Sequence, residues 1–362
     1  MACPVEAGEF QWPAPRPKAA WNGATRSERA KWWKRLFIDH REVRFIVADA
    51  WRMLQHTIDA QTHDGMFILG PSGAGKTQLA EAIQENVVRT YGRTDPEQEI
   101  VPALLLEVPD PCSPRLFCIA ILRALGDPDP ELRPTDKKEA KEMNTLAKQT
   151  ATMLKRCGVR VVIIDNVQDI PAKRAERGVE QVAVRIRQLI EDSTCLWMLL
   201  GTDAARRVVD NESQLIKRLP YRASVHYFEI GTDASKSMFL KLLLRIDEWL
   251  PLMNTNDELL RKLAGRIYLA TEGVLDRIRK LLDCACDVAL DDRREYIVEH
   301  DLEEGFSRLY GFQVANPFSK DFTIRQLRGK DEPFEFLNAS PPVKGTRRRN
   351  RSAADSRSDS SS

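Results

Sequence analysis

The sequence predicts an α/β protein with a parallel five-stranded sheet flanked by helices and a small C-terminal helical lid. Short apolar runs alternate with segments of helical period between residues 66 and 230, and this alternation indicates parallel strands covered on both faces. A glycine-rich run at 70–77 separates the first apolar run from the helical segment after it. Beyond Gly231 only helical segments follow, up to about residue 309. This part of the chain is therefore expected to form the lid.

The period of the apolar residues places the elements in order. Because apolar positions recur at helical spacing, one or two helices are expected between Ser27 and Gln61. Continuous apolar runs predict five strands, at 66–69, 101–107, 160–164, 196–200 and 225–230. Helices of the sheet domain are expected after residue 77, at 116–125 and up to about residue 155. Helices of the lid are expected at 233–250, 256–271, 273–290 and 299–309.

Four regions follow from this pattern: an extended N-terminal arm at 1–26, the α/β domain at 27–231, the lid at 232–312 and a tail at 313–362. From about residue 341 the tail is low in complexity and too polar to order itself. The arm carries Trp12 and Trp21, and the tail carries basic residues from Lys344 to Arg351. Arginine and tryptophan are frequent interface anchors, so both segments are expected to dock onto partners.

Composition limits the classes of protein that fit. The 362 residues include 55 Lys and Arg against 53 Asp and Glu, so any surface that binds DNA must be local. Seven cysteines without CxxC spacing indicate a reduced protein without structural zinc. The N-terminus lacks a signal-peptide layout and no apolar run is long enough to span a bilayer. We expect a cytoplasmic protein with no membrane partner.

The run at 70–77 matches the phosphate-loop pattern G-x-x-x-x-G-K-[ST] between a strand and a helix. Its members are Gly70, Pro71, Ser72, Gly73, Ala74, Gly75, Lys76 and Thr77. The glycines let backbone N–H groups turn toward a polyphosphate, and the positive end of the following helix favours the same anion. The Lys76 ammonium group would reach the β- and γ-phosphates, and the Thr77 hydroxyl group would bind Mg²⁺. The sequence therefore predicts binding of ATP with Mg²⁺.

A second nucleotide motif is the apolar strand that ends at Asp165, the Walker B pattern. A carboxylate at this strand tip would hold Mg²⁺ through its water shell. The next residue, where many such ATPases carry a glutamate that polarises the attacking water, is Asn166. An amide orients water but accepts no proton, and loss of a general base reduces turnover by about 10²–10⁴-fold. We therefore expect firm nucleotide binding and slow ATP hydrolysis.

Three further positions are candidates for sensing the nucleotide. Thr202, after the fourth predicted strand, lies where a hydroxyl group would approach a γ-phosphate, although a helix cap is an equal alternative. Arg218, before the fifth predicted strand, is the candidate arginine finger that would reach the nucleotide of a neighbouring subunit. Arg222 is its competitor, and a solvated basic turn is the alternative to both.

Arg277, near the start of a lid helix, is the candidate contact from the lid to phosphate, with Arg279 and Lys280 as competitors. Two basic clusters are candidates for contacts to DNA phosphates, which bind duplex without reading its sequence. Their members are Lys137, Lys138, Lys141, Lys173, Arg174 and Arg177. A solvated charged face is the alternative explanation for each cluster.

These motifs, in this order, resemble the AAA+ ATPases of DNA transposition, specifically the TniB/TnsC group of transposon regulators. The likeness covers roughly residues 30–320. It is carried by segments at 38–57, 101–126, 160–170, 199–219, 271–289 and 316–318. Asn166 departs from the group, whose Walker B strand usually ends in Asp-Glu.

The resemblance implies an AAA+ protein that assembles as rings or filaments on duplex DNA in ATP. Such a protein recruits and activates a transposase at a target chosen by another protein, and ATP hydrolysis disassembles the filament. Two alternatives remain from the sequence. One is a nucleotide-dependent scaffold in signalling or defence that does not bind DNA, and the other is a hydrolytic motor related to helicase loaders or clamp loaders.

Overall fold

Five parallel strands form a single sheet in the computed structural model. The structure describes residues 9–92, 100–132, 139–170, 176–256 and 259–322. The strands are β1 (Gly65–Leu69), β2 (Ala103–Glu107), β3 (Val161–Asp165), β4 (Leu196–Gly201) and β5 (Tyr221–Ser224). Their order is β2-β3-β4-β1-β5, so that β4 lies between the strands that lead to the phosphate loop and to Asp165. The predicted parallel five-stranded sheet is confirmed.

Helices flank the sheet and then continue into the lid. The sheet domain and its N-terminal approach contain α1 (Arg26–Lys34), α2 (Arg41–Ala60), α3 (Lys76–Tyr91), α4 (Pro114–Ala124), α5 (Glu139–Arg156), α6 (Glu176–Asp192), α7 (Arg206–Val209) and α8 (Ser213–Arg218). The lid contains α9 (Asp233–Trp249), α10 (Leu259–Lys262), α11 (Ala264–Thr271), α12 (Leu275–Asp291) and α13 (Glu299–Tyr310). The predicted helix at 256–271 is thus two shorter helices in the structure.

The central strands are buried on both faces, as expected for a parallel sheet. Alternate residues of β3 point to opposite sides, so Val162 and Ile164 join the apolar cluster under α4, α5 and α6. Val161 and Ile163 join the cluster under α2 and α3 on the other face. The two apolar cores hold the strand tips, and with them the loops at the carboxyl edge, in fixed positions.

The fifth strand lies earlier than the sequence predicts. It pairs with β1 in the register Met66↔Tyr221 to Leu69↔Ser224, and the N–H group of Val225 adds one last bond to the Leu69 carbonyl group, 2.8 Å. Residues 225–230 then leave the sheet, since the N–H group of Phe228 donates to the Gly273 carbonyl group of the lid, 3.0 Å. The predicted strand at 225–230 was wrong because lid contacts replace sheet pairing there.

Residues 18–21 of the N-terminal arm pack on the lid, whereas Phe10 and Trp12 pack on the sheet domain. Trp21 is only 1% exposed, and its ring contacts Trp32 of α1, which stacks on Trp249 of α9 at 5.1 Å. The Lys18 ammonium group donates to the carbonyl groups of Asp247 (2.9 Å) and Leu250 (3.0 Å). The expectation that Trp21 serves a partner was wrong, because its own chain buries it.

Candidate nucleotide-binding site

The phosphate loop connects β1 to α3 at the carboxyl edge of the sheet. Gly73 and Gly75 have φ of 79° and 96°, in the left-handed region that favours glycine. At Gly70 a Cβ atom would lie 2.6 Å from the Val225 carbonyl oxygen. These glycines let the loop turn tightly between β5 and the start of α3. Backbone N–H groups at the start of a helix form a site that favours an anion.

Lys76, in the first turn of α3, points back into this loop. Its Nζ atom donates to the carbonyl groups of Gly70 (2.8 Å) and Pro71 (2.9 Å). Desolvation by burial lowers the pKa of Lys76, and the nearby Asp165 carboxylate opposes that shift. A charged phosphate oxygen would compensate the buried cation better than a neutral carbonyl group does.

Thr77 and Asp165 meet across the two motifs, although 88 positions separate them in the chain. The Thr77 hydroxyl group donates to Asp165 Oδ2 at 2.6 Å, and the Asp165 side chain is almost fully buried. A hydroxyl oxygen beside a carboxylate is a donor set that suits Mg²⁺. The described residues contain no cluster of three or more His, Cys, Asp or Glu that would hold a metal alone. A Mg²⁺ ion here would therefore keep water and phosphate ligands.

Asn166 takes the left-handed conformation, with φ of 58°, directly after β3. Its N–H group donates to Asp165 Oδ1 at 2.8 Å, and its Oδ1 atom accepts from Gln168 Nε2 at 3.1 Å. Gln168 Oε1 in turn accepts from the N–H group of Thr202, 3.0 Å. One amide side chain thus links the Walker B tip to the end of β4. Sequence reasoning missed Gln168, whose role depends on the adjacency of β3 and β4.

The neighbouring Asp169 does not complete the site. Its side chain is exposed, and its N–H group donates to the Asn166 carbonyl group at 2.8 Å within a short 3-10 turn. Arg207 of α7 fixes this turn, since its Nη2 atom donates to the carbonyl groups of Gln168 (2.6 Å) and Ile170 (2.8 Å). The turn therefore holds Asn166 and Gln168 in a defined geometry.

Both candidate arginine fingers lie at the β5 end of the sheet and form ion pairs within their own chain. Arg218 ends α8 and pairs with Glu191 of α6 at 3.2 Å. Arg222 lies inside β5 and pairs with Asp210 at 3.3 Å. Their side chains are 39% and 38% exposed. Each guanidinium group is held at the surface by one carboxylate, with donors left for another anion.

The lid rests directly on the phosphate loop. The N–H group of Asp276, at the start of α12, donates to the Gly73 carbonyl group at 3.1 Å. The Tyr227 hydroxyl group donates to the Ser72 carbonyl group at 2.7 Å. The sequence analysis did not predict either contact, because Asp276 and Tyr227 lie outside the phosphate-loop motif.

A small cavity lies between the loop, α12 and the segment that joins α1 to α2. Its apolar walls are Leu36, Ile38 and Leu275, and Gln78 of α3 also lines it. The cavity has a volume of about 20 Å³, so it has room for about one water molecule. The sequence analysis did not predict that these residues meet, because they come from three separate parts of the chain.

The three candidate lid cations each form an ion pair. Arg277 Nη1 lies 2.5 Å from Glu272 Oε2, Arg279 Nη2 lies 3.2 Å from Asp276 Oδ1, and Lys280 Nζ lies 2.6 Å from Asp276 Oδ2. Arg279 also lines the small cavity beside Gly73 and Gly75. The choice among the three cations as the lid contact to phosphate stays a prediction.

The proposed contacts to DNA lie largely outside the described residues. This holds for Lys137, Lys138, Lys173 and Arg174, and for the basic segment of the tail. Lys141 and Arg177 belong to α5 and α6, but their side chains also fall outside the description. Within the described part of the chain, no helix is long and apolar enough to cross a bilayer.

The sheet order, with β4 between the two motif strands, and a helical lid seated on the phosphate loop define the class: this is the AAA+ P-loop fold. Solved structures of two Aeropyrum pernix proteins share the fold. ORC2, in ADPNP–ADP complexes, is 15% identical over 76% of this chain and 71% of its own, with a TM-score of 0.52. ORC1, in complex with DNA, is 14% identical over 76% of this chain and 66% of its own, with a TM-score of 0.50.

The family follows from the sequence itself. The chain belongs to the TniB family, because the model described as "Bacterial TniB protein" matches residues 30–227, more than half of its length. No protein with a curated description matches the chain.

Proposed function

We propose that this protein is an ATP-dependent regulator of DNA transposition that acts in the bacterial cytoplasm. In ATP it assembles on duplex DNA, where it recruits and activates a transposase at a site chosen by a target-selection protein. The observation that carries this proposal is the joining of Lys76, Thr77 and Asp165 in one site, within a chain of the TniB family.

The described residues fit ATP with Mg²⁺. The loop N–H groups and Lys76 would bind the phosphates, and Thr77 and Asp165 would hold the metal ion. When bound, Mg²⁺ supplies charge neutralisation at the phosphates. The chain's own residues orient the nucleotide and, through the contact from Asp276 to Gly73, bring the lid onto it.

Oligomerisation is the second part of the proposal. The half-exposed Arg218 and Arg222 at the β5 edge have donors available for a phosphate group of a neighbouring subunit. Such a contact couples ATP binding to assembly, because the γ-phosphate completes the interface. Rings or filaments in which each subunit contributes a finger to the next would follow.

Filter retention of labelled duplex DNA of arbitrary sequence tests the proposal. We expect retention in a slowly hydrolysed ATP analogue and little retention in ADP. Lys76→Ala should lose both nucleotide binding and retention, whereas Lys31→Ala, an exposed lysine of α1, should keep both. Binding of ATP without retention of duplex under any condition would favour the DNA-independent scaffold.

Recruitment requires its own measurement. A pull-down of the transposase encoded by the same mobile element should depend on ATP and duplex together. Capture that is equal with and without ATP would contradict a nucleotide-controlled regulator, even if the protein retains DNA.

A further inference from the structure

The turn between α11 and α12 is strained and firmly seated. Glu272 has φ of 56° and Gly273 has φ of 68°. The Gly273 carbonyl group accepts from the N–H group of Phe228 at 3.0 Å, and a Cβ atom at Gly273 would lie 2.0 Å from the Phe228 carbonyl oxygen. A non-glycine residue in the left-handed region persists when its surroundings hold it, and such residues concentrate at functional sites.

Only one of the two oxygen atoms of the Glu272 carboxylate has a described hydrogen-bond partner. Its Oε2 atom lies 2.5 Å from Arg277 Nη1. Its Oε1 atom is buried and has no hydrogen-bond partner among the described residues. A buried acceptor without a partner is destabilising, so this arrangement is poorly explained by stability alone. The Glu272 side chain thus interacts mainly with Arg277.

The turn that carries this ion pair lies against the phosphate loop, since a Cβ atom at Gly73 would lie 3.0 Å from the Val274 side chain. The charges of Arg277 and Glu272 act in opposite directions on the pKa of Tyr227, which burial raises overall. The hydroxyl group of the same Tyr227 donates to the Ser72 carbonyl group of the loop at 2.7 Å. Arg277, paired with the Glu272 carboxylate, therefore belongs to a turn that contacts the phosphate loop.

We propose that Glu272 is a positioning residue that sets the preference for ATP over ADP by competing with the γ-phosphate for Arg277. This inference rests on the proposed function, since it assumes that the loop binds ATP. Carboxylate and phosphate groups both bind a guanidinium group through paired N–H donors, so one replaces the other. The γ-phosphate must displace Glu272, whose buried charge then loses its partner.

Neutralising Glu272 reduces this competition. In Glu272→Gln we expect ATP to bind roughly 3- to 10-fold more tightly, while ADP affinity changes less than about 2-fold, because ADP lacks the γ-phosphate. Arg277→Ala should weaken ATP selectively, and in that background Glu272→Gln should have no further effect. Glu272→Asp keeps the charge, so its ratio of ATP to ADP affinity should stay near that of wild type.

Glu304→Gln is the matched control, because Glu304 is a lid carboxylate that pairs with Arg308 of its own helix, α13, and has no part in the proposed site. It should not raise the affinity ratio. Titration of each variant with fluorescent ATP and ADP analogues gives the ratio, and circular dichroism gives the folded fraction. An unchanged ratio in a folded Glu272→Gln, or a loss of ATP affinity like that of Arg277→Ala, would overturn the role of Glu272. A wild-type protein that binds neither nucleotide would instead overturn the proposed function.

Discussion

At the scale of single residues, Asn166 is the position from which we predict how long the proposed ATP-bound assembly lasts. It directly follows Asp165, the proposed metal-binding carboxylate, and its side-chain oxygen already accepts from Gln168 at 3.1 Å. An amide at this position orients a water molecule and accepts no proton. Slow hydrolysis, and with it long-lived assemblies on DNA, is the expected property of the wild-type protein.

Asn166→Glu should raise the steady-state ATPase rate, by up to about 10²-fold if the missing general base is the whole deficit. The left-handed backbone, at φ of 58°, tolerates asparagine better than glutamate. Asn166→Asp is therefore the matched variant, since it brings a carboxylate with less backbone strain. Phosphate release and filament lifetime are the measurements, and thermal unfolding reports the strain.

A fast wild-type rate, or no gain in either folded variant, would show that another group activates the water. A residue of the adjacent subunit would then be the first to test. Neither result affects the Thr77–Asp165 pair, because metal binding and proton transfer make separate demands on the strand tip.

Local motifs made some residues of the site predictable. Lys76, Thr77 and Asp165 belong to motifs whose spacing specifies their chemistry, and the structure brings them together. Gln168 and Tyr227 could not be found in this way, because their contacts with Thr202 and Ser72 depend on strand order and lid position. Those contacts join parts of the chain that are distant in sequence.

At the scale of elements, β5 and the end of α8 before it carry both candidate arginine fingers, so we propose that subunits meet at this edge of the sheet. The sequence predicted a strand at 225–230, but Tyr221–Ser224 pairs with β1 instead. A run such as 225–230 has the composition of a strand, and only its contact with Gly273 of the lid shows that it does not join the sheet. The shift places Arg222 inside the strand, and Arg218 is the last residue of α8.

Arg218→Ala should leave ATP binding by a single subunit intact and prevent ATP-dependent oligomers, because a finger acts across the subunit boundary. Arg222→Ala is the matched control, since both side chains are about equally exposed and each has one carboxylate partner. Light scattering in ATP measures assembly, and a fluorescent nucleotide analogue measures binding. Normal assembly of Arg218→Ala together with loss in Arg222→Ala would assign the finger to Arg222.

At the scale of the whole molecule, α1 and the end of the N-terminal arm before it pack against the lid. Arg29 of α1 forms paired contacts with Glu295 at 2.8 and 2.9 Å, and Trp33 of α1 joins the apolar core of the lid helices. The sequence predicted an extended arm, because its prolines and the lack of a helical or strand period indicated no fold of its own. Its order comes from the surface that it covers, which no local pattern reveals.

The aromatic contact of Trp21, Trp32 and Trp249 links the arm, α1 and α9, so its loss should destabilise the lid. Trp21→Ala removes a side chain that is 1% exposed, and we expect a loss of about 3–5 kcal/mol in the free energy of unfolding. The matched control is Phe312→Ala, because that aromatic side chain is 79% exposed and should change stability by less than about 0.5 kcal/mol.

Urea unfolding followed by tryptophan fluorescence and by circular dichroism gives both free energies, the second probe being independent of the deleted ring. Because the lid lies on the phosphate loop through Asp276 and Gly73, Trp21→Ala should also weaken ATP binding, and Phe312→Ala should not. A Trp21→Ala protein as stable as Phe312→Ala would show that the arm contributes little to the lid. Trp21 would then again be a candidate anchor for a partner, and a pull-down with the transposase would test that role.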